Sequence, residues 1–142
     1  LLPALDSARN KAREVQSMDN VRQLSVAMFA YEDDTGALPI AAKWSDALLP
    51  FLGNNREVFI SPMDSFAEGS SYAFNKQLSG VKTGDLEAAA KTVLVFESDL
   101  GWNGAGDAED AFALGDRYII GFADGHVEPV DANLIQQLRW KP

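Results

Sequence analysis

The side chains best suited by type and spacing to do chemistry lie between Glu97 and Asp116 (ESDLGWNGAGDAEDAFALGD), a stretch with six acids and no base. Counting from Asp99, the residues Asp99, Gly101, Asn103, Gly104, Asp107 and Asp110 fall at positions 1, 3, 5, 6, 9 and 12. That is close to the spacing by which carboxylate and amide oxygens wrap a calcium ion, with glycine at the sharp turn. Position 3 brings no oxygen, and position 12 is Asp rather than a bidentate Glu. Two readings stand: calcium held by Asp99, Asn103, Asp107 and Asp110 with Asp116 in reserve, or a solvated acidic loop. Oxygen ligands without histidine favour calcium over zinc or copper.

Other chemistries find little support. The chain has no cysteine, which excludes a thiol nucleophile, a disulfide framework and thiolate zinc sites. Its one histidine, His126, has no nucleophile beside it, and Asp124 is expected to occupy a different position in the turn. A hydrogen-bonded surface histidine is the simpler expectation. Glu97 and Asp99 share a face at a strand end, as paired carboxylates might, but no aromatic pattern suggests a sugar pocket. Ser70-Ser71 lacks a base. Gly101, Gly104 and Gly106 lack the strand, helix and lysine of a phosphate loop. Trp44, Trp102 and Trp140 read as core or interface anchors, since no bases interleave with them. The sequence gives no ground to expect an enzyme.

The elements that position these residues start with one long helix, expected over residues 4 to about 33. Apolar residues at Leu5, Ala8, Ala12, Val15, Met18, Val21, Leu24, Met28 and Tyr31 recur in steps of three and four. No Gly or Pro interrupts between Pro3 and Gly36. Residues 18–31 add Val26, Phe29 and Ala30 to the apolar face and are expected to be the packed half; residues 4–17 are expected to project. After Gly36, a short amphipathic helix is expected at 43–52, an extended run at 57–61, and a strand at 71–75. A short helix capped by Asp85 should follow, then a buried strand over Thr92–Phe96. A hairpin with a two-residue Asp124-Gly125 loop between 117–123 and 126–130 comes next. Asp131 is expected to cap a final helix over 132–139. The fold class is α+β, a long helix on a small antiparallel sheet, in a single unit of residues 1–142: spine 1–34 and head 35–142.

The chain is 142 residues long with a net charge of −9, and the charge is uneven. Residues 1–31 sum to +1 and the remainder to −10. This balance argues against nucleic acid as a partner. The opening Leu1-Leu2 suggests a helix cut in its middle, below an apolar anchor.

The residues also resemble a family. Leu1-Leu2-Pro3-Ala4-Leu5, Ala8-Arg9, Ala12-Arg13, Asn20-Val21-Arg22-Gln23-Leu24 and Tyr31 resemble type IV pilin-like proteins. The narrower resemblance is to bacterial pseudopilins with a prepilin-type N-terminal cleavage/methylation domain. Further matches are Leu48-Leu49-Pro50-Phe51-Leu52, Ser71-Tyr72-Ala73-Phe74-Asn75, Thr92-Val93-Leu94-Val95-Phe96 and Phe122-Ala123-Asp124-Gly125-His126-Val127. Ser17 and Ser61 stand where relatives often carry cysteines that bridge helix to sheet, so the loop at 54–64 is expected to be looser here. Leu114 stands where relatives often carry a histidine.

The resemblance implies an inner-membrane anchor, a head in the periplasm and a structural role in a pseudopilus for type II protein secretion. Implied partners are copies of the chain, other pseudopilins and the secretion-assembly machinery, met through the helix at Arg9, Arg13, Val15 and Arg22. It also implies a calcium ion in the loop before the last strands, as some relatives hold. The alternative is a minor pilin or surface-appendage module whose head binds a secreted substrate or a surface ligand.

Overall fold

The computed structural model describes residues 2–142. Helix α1 spans Leu2–Thr35, 34 residues and about 50 Å. Pro3 sits in its first turn, where a missing N–H costs nothing. Gly36 stops it in a left-handed conformation (φ +97°) and donates its N–H to the Glu32 carbonyl at 2.7 Å. Its buried residues are Ser17, Asn20, Val21, Leu24, Ser25, Ala27 and Met28, so burial begins at Ser17, the last residue of the stretch expected to project. Residues 2–13 are exposed throughout. Val26 departs from expectation at 67% exposed, because two positions beyond Leu24 it turns to the far side of the helix.

Five strands form one sheet: β1 (Tyr72–Asn75), β2 (Val93–Glu97), β3 (Ala105–Gly106), β4 (Tyr118–Phe122) and β5 (Val127–Val130). Their order is β3-β1-β2-β4-β5, antiparallel except where β3 runs parallel to β1. Helix α1 lies on one face, where Val21, Leu24 and Met28 join Phe74, Leu94, Val95 and Ile119 in the larger core. The other face packs Ala73, Val93, Phe96 and Ile120 under Val130, Ile135 and Trp140. Buried on both faces, β2 reads as an unbroken apolar run up to Glu97. Where α1 crosses β4 only glycine fits: a Cβ on Gly121 would stand 2.7 Å from Val21 Cγ1.

Several local expectations gave way. The run at 57–61 is a 3₁₀ turn over Arg56–Phe59, capped by the Asn55 side chain, which accepts from the Glu57 N–H at 3.1 Å. Separate 3₁₀ turns at Thr83–Asp85 and Ala89–Lys91 replace the short helix capped by Asp85. The hairpin loop holds Ala123, Asp124 and Gly125. The Phe122 N–H donates to the His126 carbonyl at 2.9 Å, and only Gly125 is left-handed (φ +95°). A three-residue loop of this kind needs one positive φ rather than two. The final helix is a 3₁₀ segment over Ala132–Gln137 with Ile135 buried and Leu134 outside, and Asp131 makes no capping bond. The short helix α2 (Trp44–Leu48) continues into a 3₁₀ turn over Leu49–Leu52, close to expectation.

Candidate functional site

The acidic segment folds back on itself, and its acids take up different tasks. Asn103 holds a left-handed backbone (φ +59°), which points its amide at α2. Its Oδ1 accepts from the N–H groups of Ser45 (2.8 Å) and Asp46 (3.2 Å), while its Nδ2 donates to Asp46 Oδ2 at 2.7 Å. Trp102 Nε1 donates to the other Asp46 oxygen at 2.9 Å. Asn103 and then Trp102 together hold the Asp46 carboxyl below the usual carboxylate range. Trp102 lies 4.7 Å from the Phe59 ring with Arg56 4.5 Å from its centroid, so its indole is committed to the head.

Asp107 accepts from Gln77 Nε2 at 3.0 Å and pairs with Lys76 Nζ at 3.0 Å, and both contacts lower its pKa. Asp110 turns its carboxylate back to the Asp107 N–H at 2.9 Å, a fold that only Gly106 permits because any Cβ there would collide with it. Asp99 is exposed at a cleft it shares with Asp64, Phe66, Glu68 and Phe112. Asp116 is exposed at another cleft, against α1. Asp107 and Asp110 are therefore neighbours, while Asp99, Asn103 and Asp116 face elsewhere. Among the described residues no three His, Asp or Glu stand close enough to share a metal ion. As placed, Lys76 pairs with Asp107, and two N–H donors occupy the Asn103 oxygen.

The most unusual group is Glu97, which reads in the sequence as half of a carboxylate pair. It is fully buried, and burial pushes its carboxyl up to about 8. Oε1 accepts from the Ile119 N–H at 2.8 Å, and Oε2 lies 3.4 Å from Ser17 Oγ. Ser17 Oγ is 2.7 Å from the Tyr72 hydroxyl, which also accepts from Asn20 Nδ2 at 3.3 Å. Burial raises the Tyr72 phenol to about 12. Asn20 further donates to the Ile60 carbonyl at 2.9 Å, and Ser61 N–H donates to Ser71 Oγ at 2.9 Å. This network ties helix, sheet and the 54–64 loop together at the place expected to loosen without cysteines. Its one signal in the sequence is an acid ending a run of apolar residues.

His126 is a hydrogen-bonded surface histidine, but Asp124 does meet it: Nδ1 lies 2.5 Å from Asp124 Oδ1. The backbone donates too, from the His126 N–H to the same oxygen at 3.0 Å, and this bond orients the carboxylate. The imidazole stacks on Phe122 at 4.4 Å.

On the helix, Arg9, Arg13, Val15 and Arg22 are all exposed, with Val15 54% open. Near its inner end Arg117 Nη2 donates to Glu14 Oε1 at 2.7 Å, which fastens the start of the free segment to the head. Farther along, a groove of about 410 Å³ runs between α1 and the 49–52 turn, with Val26, Ala27, Phe51, Leu52 and Val58 in its wall. The sequence held no sign of this groove, because its two walls are about 25 positions apart.

A family model described as a protein of unknown function (DUF1559) matches residues 6–55. The similarity runs from α1 through the 49–52 turn, 50 of the 142 residues, and stops before the sheet. No curated protein and no solved structure matches the chain. The class the fold defines is thus α+β, a long helix on a five-stranded sheet. The particular likeness is to the DUF1559 family over its first third.

Proposed function

We propose that this chain is the envelope-exposed part of a structural subunit of a pilus-like fibre, a pseudopilin serving type II-like protein secretion. The observation that carries this reading is the free half of α1. Residues 2–16 continue the helix past its packed half, with Leu2 70%, Leu5 45% and Val15 54% exposed and Arg9, Lys11 and Arg13 among them. An isolated helix of this length is marginal in water, so apolar side chains on it call for neighbours. In the proposal those neighbours are further copies of the chain and other pseudopilins. A membrane anchor before residue 1 holds the subunit in the bacterial inner membrane until assembly. In this reading the head works as a spacer and contact surface. Calcium, if the acidic segment takes it, enters by displacing Lys76 from Asp107.

The test is deletion of the gene in its own organism, with the secreted proteins compared and the wild type or an Arg9→Glu/Arg13→Glu variant supplied in trans. Deletion is expected to leave exported proteins inside the envelope, and the variant is expected not to restore export. An unchanged set of secreted proteins in the deletion strain would overturn the secretion role.

A second reading, a head that binds a surface or secreted ligand, draws on Phe66 at 91% and Phe112 at 50% exposed beside Asp64 and Asp99. Trp102 adds nothing to this cleft, since it packs against Phe59 and Arg56.

A further inference from the structure

The head is strongly acidic, yet one of its cavities carries Lys91, Arg139 and His126 against a single acid, Glu128. It opens beside the hairpin loop and holds about 570 Å³, inside the roughly 300–1,000 Å³ usual for small-ligand pockets. It shares no wall residue with the cleft at Phe66 and Phe112. Backbone pairing brings the two bases together. Thr92, next to Lys91, forms a parallel bridge with Arg139, and the Val93 N–H donates to the Arg139 carbonyl at 2.9 Å.

These cations are not spent. Among the described residues Lys91 forms no ion pair. Arg139 donates through Nη2 to Glu87 Oε2 at 3.1 Å and the Pro142 carbonyl at 2.9 Å, and through Nε to the Lys141 carbonyl at 3.2 Å. None of these bonds uses Nη1. Glu87 is 82% exposed, so its pair with Arg139 is a weak surface one. Glu128 Oε2 lies 3.4 Å from His126 Nε2, which draws the one acid of the wall toward the imidazole. Leu138, Ala88 and Ala90 line the rest with apolar surface.

We propose that this cavity binds an organic carboxylate carried on an apolar body. Lys91 Nζ and Arg139 Nη1 meet its two oxygens, and Leu138 and Ala90 cover the body. A planar guanidinium matches a planar carboxylate, and a charge-assisted bond is about twice as strong as a neutral one. Other anions fit less well. A phosphate monoester brings about 1.5–2 negative charges, and the excess faces Glu128. A sugar acid needs partners for its hydroxyls, and beyond Gln137 the uncharged side chains of the wall are apolar or the histidine. A lipid headgroup is out of reach in the fibre reading. A Cβ on Gly125 would stand 3.1 Å from Phe29 Cε2, so the hairpin lies level with Phe29, about 40 Å along α1 from Leu2. Acids elsewhere on the head are screened beyond about 8 Å at physiological salt. The carboxylate belongs either to a small organic acid or to the free C-terminus of a peptide ending in an aliphatic residue.

The experiment is a ¹⁵N NMR titration of the chain with hexanoate, hexanamide, acetyl-alanyl-alanyl-leucine and the C-terminal amide of that peptide. The two carboxylates are expected to shift the amides of Ala90, Lys91 and His126, and the two amides to leave them in place. Tighter binding of the peptide assigns a chain terminus as the source; equal binding assigns a small acid. Lys91→Gln and Arg139→Gln should each weaken binding by about tenfold, the loss of one charge-assisted bond. Ala90→Phe should fill the apolar part from an exposed position and abolish binding. Lys91 is exposed and in no ion pair, so Lys91→Gln retains the fold even if Arg139→Gln does not. Amides that bind as well as carboxylates overturn the proposal, as does unchanged binding to Lys91→Gln. So does an absence of shifts at millimolar concentrations of all four compounds. Inorganic phosphate shifting the same amides as strongly as hexanoate overturns the choice of anion. Binding by the separate chain requires neither a fibre nor export, so failure here leaves the fibre reading standing.

Discussion

The two halves of α1 are built from the same kinds of residue and differ almost wholly in what surrounds them. In residues 17–31 every third or fourth side chain enters the core, with Val21, Leu24 and Met28 at 0% exposure. In residues 2–16 the same spacing of Leu5, Ala8, Ala12 and Val15 meets only solvent. The seam between the halves is polar: Ser17, Asn20, Tyr72 and Glu97 form a buried network, and Arg117 clasps Glu14 just outside it. Helix propensity therefore continues through a point where tertiary stabilisation ends. A helix that outlasts its own packing is available to another molecule.

The sharpest way to break this contrast is truncation on either side of the seam. Leu24→Ala should destabilise the chain by about 2–5 kcal/mol, the range for a buried leucine whose cavity cannot collapse. Val15→Ala should stay within about 0.5 kcal/mol, as exposed positions do. Urea unfolding followed by circular dichroism measures both. A Val15→Ala loss as large as that of Leu24→Ala would mean the arm packs on its own head.

Next in size is the seam itself. Folding raises the Glu97 carboxyl from 4.5 to about 8, so between those values the folded chain holds a proton that the unfolded chain has released. Stability then falls as pH rises from about 5 to 8, by at most about 1.4 kcal/mol per unit, and is regained on acidification. Glu97→Gln keeps an oxygen for the Ile119 N–H and places an amide donor near Ser17. It should flatten the slope of Tm against pH and raise Tm at pH 8. An unchanged slope would remove Glu97 from that role.

The smallest expected effect concerns the acidic segment, which the head has tied down where the arm is free. Lys76→Gln leaves Asp107 without its cation, and the Asp107 carboxyl should rise toward its ordinary value. Calcium and Lys76 compete for that carboxylate, so calcium should raise the Tm of the variant more than that of the wild type. Equal calcium responses in differential scanning calorimetry would dismiss the segment as a cation site.

Much of the architecture was legible in the chain. The periodicity from Leu5 to Tyr31, the absence of Gly and Pro between Pro3 and Gly36, and the apolar run at 92–96 each carry a local signal strong enough to name an element. Weaker signals misled where tertiary contacts ruled. The β-branched Val58 and Ile60 suggested extension, yet Asn55 capped a 3₁₀ turn there. The Asp-Gly pair suggested a two-residue loop, yet the Phe122–His126 bond closed a three-residue one. Strand β3, two residues long and inside the acidic segment, left no pattern to read. The same segment shows the limit for sites. Spacing put Asp99, Asn103, Asp107 and Asp110 in one loop, but Lys76, Ser45 and Asp46, 31 to 58 positions away from their partners in sequence, decided which way Asp107 and Asn103 face.

The sequence by itself determined that this protein has a continuous helix, that its second half is the packed one, and that its charge is basic early and acidic late. Those properties depend on residues within a few turns of one another. Tertiary structure alone decided that Glu97 is entombed and proton-bearing, that Trp102 is committed to Asp46 and Phe59, and that a groove opens between Val26 and Phe51. Burial and charge environment are set by residues distant along the chain, and only folding brings those together.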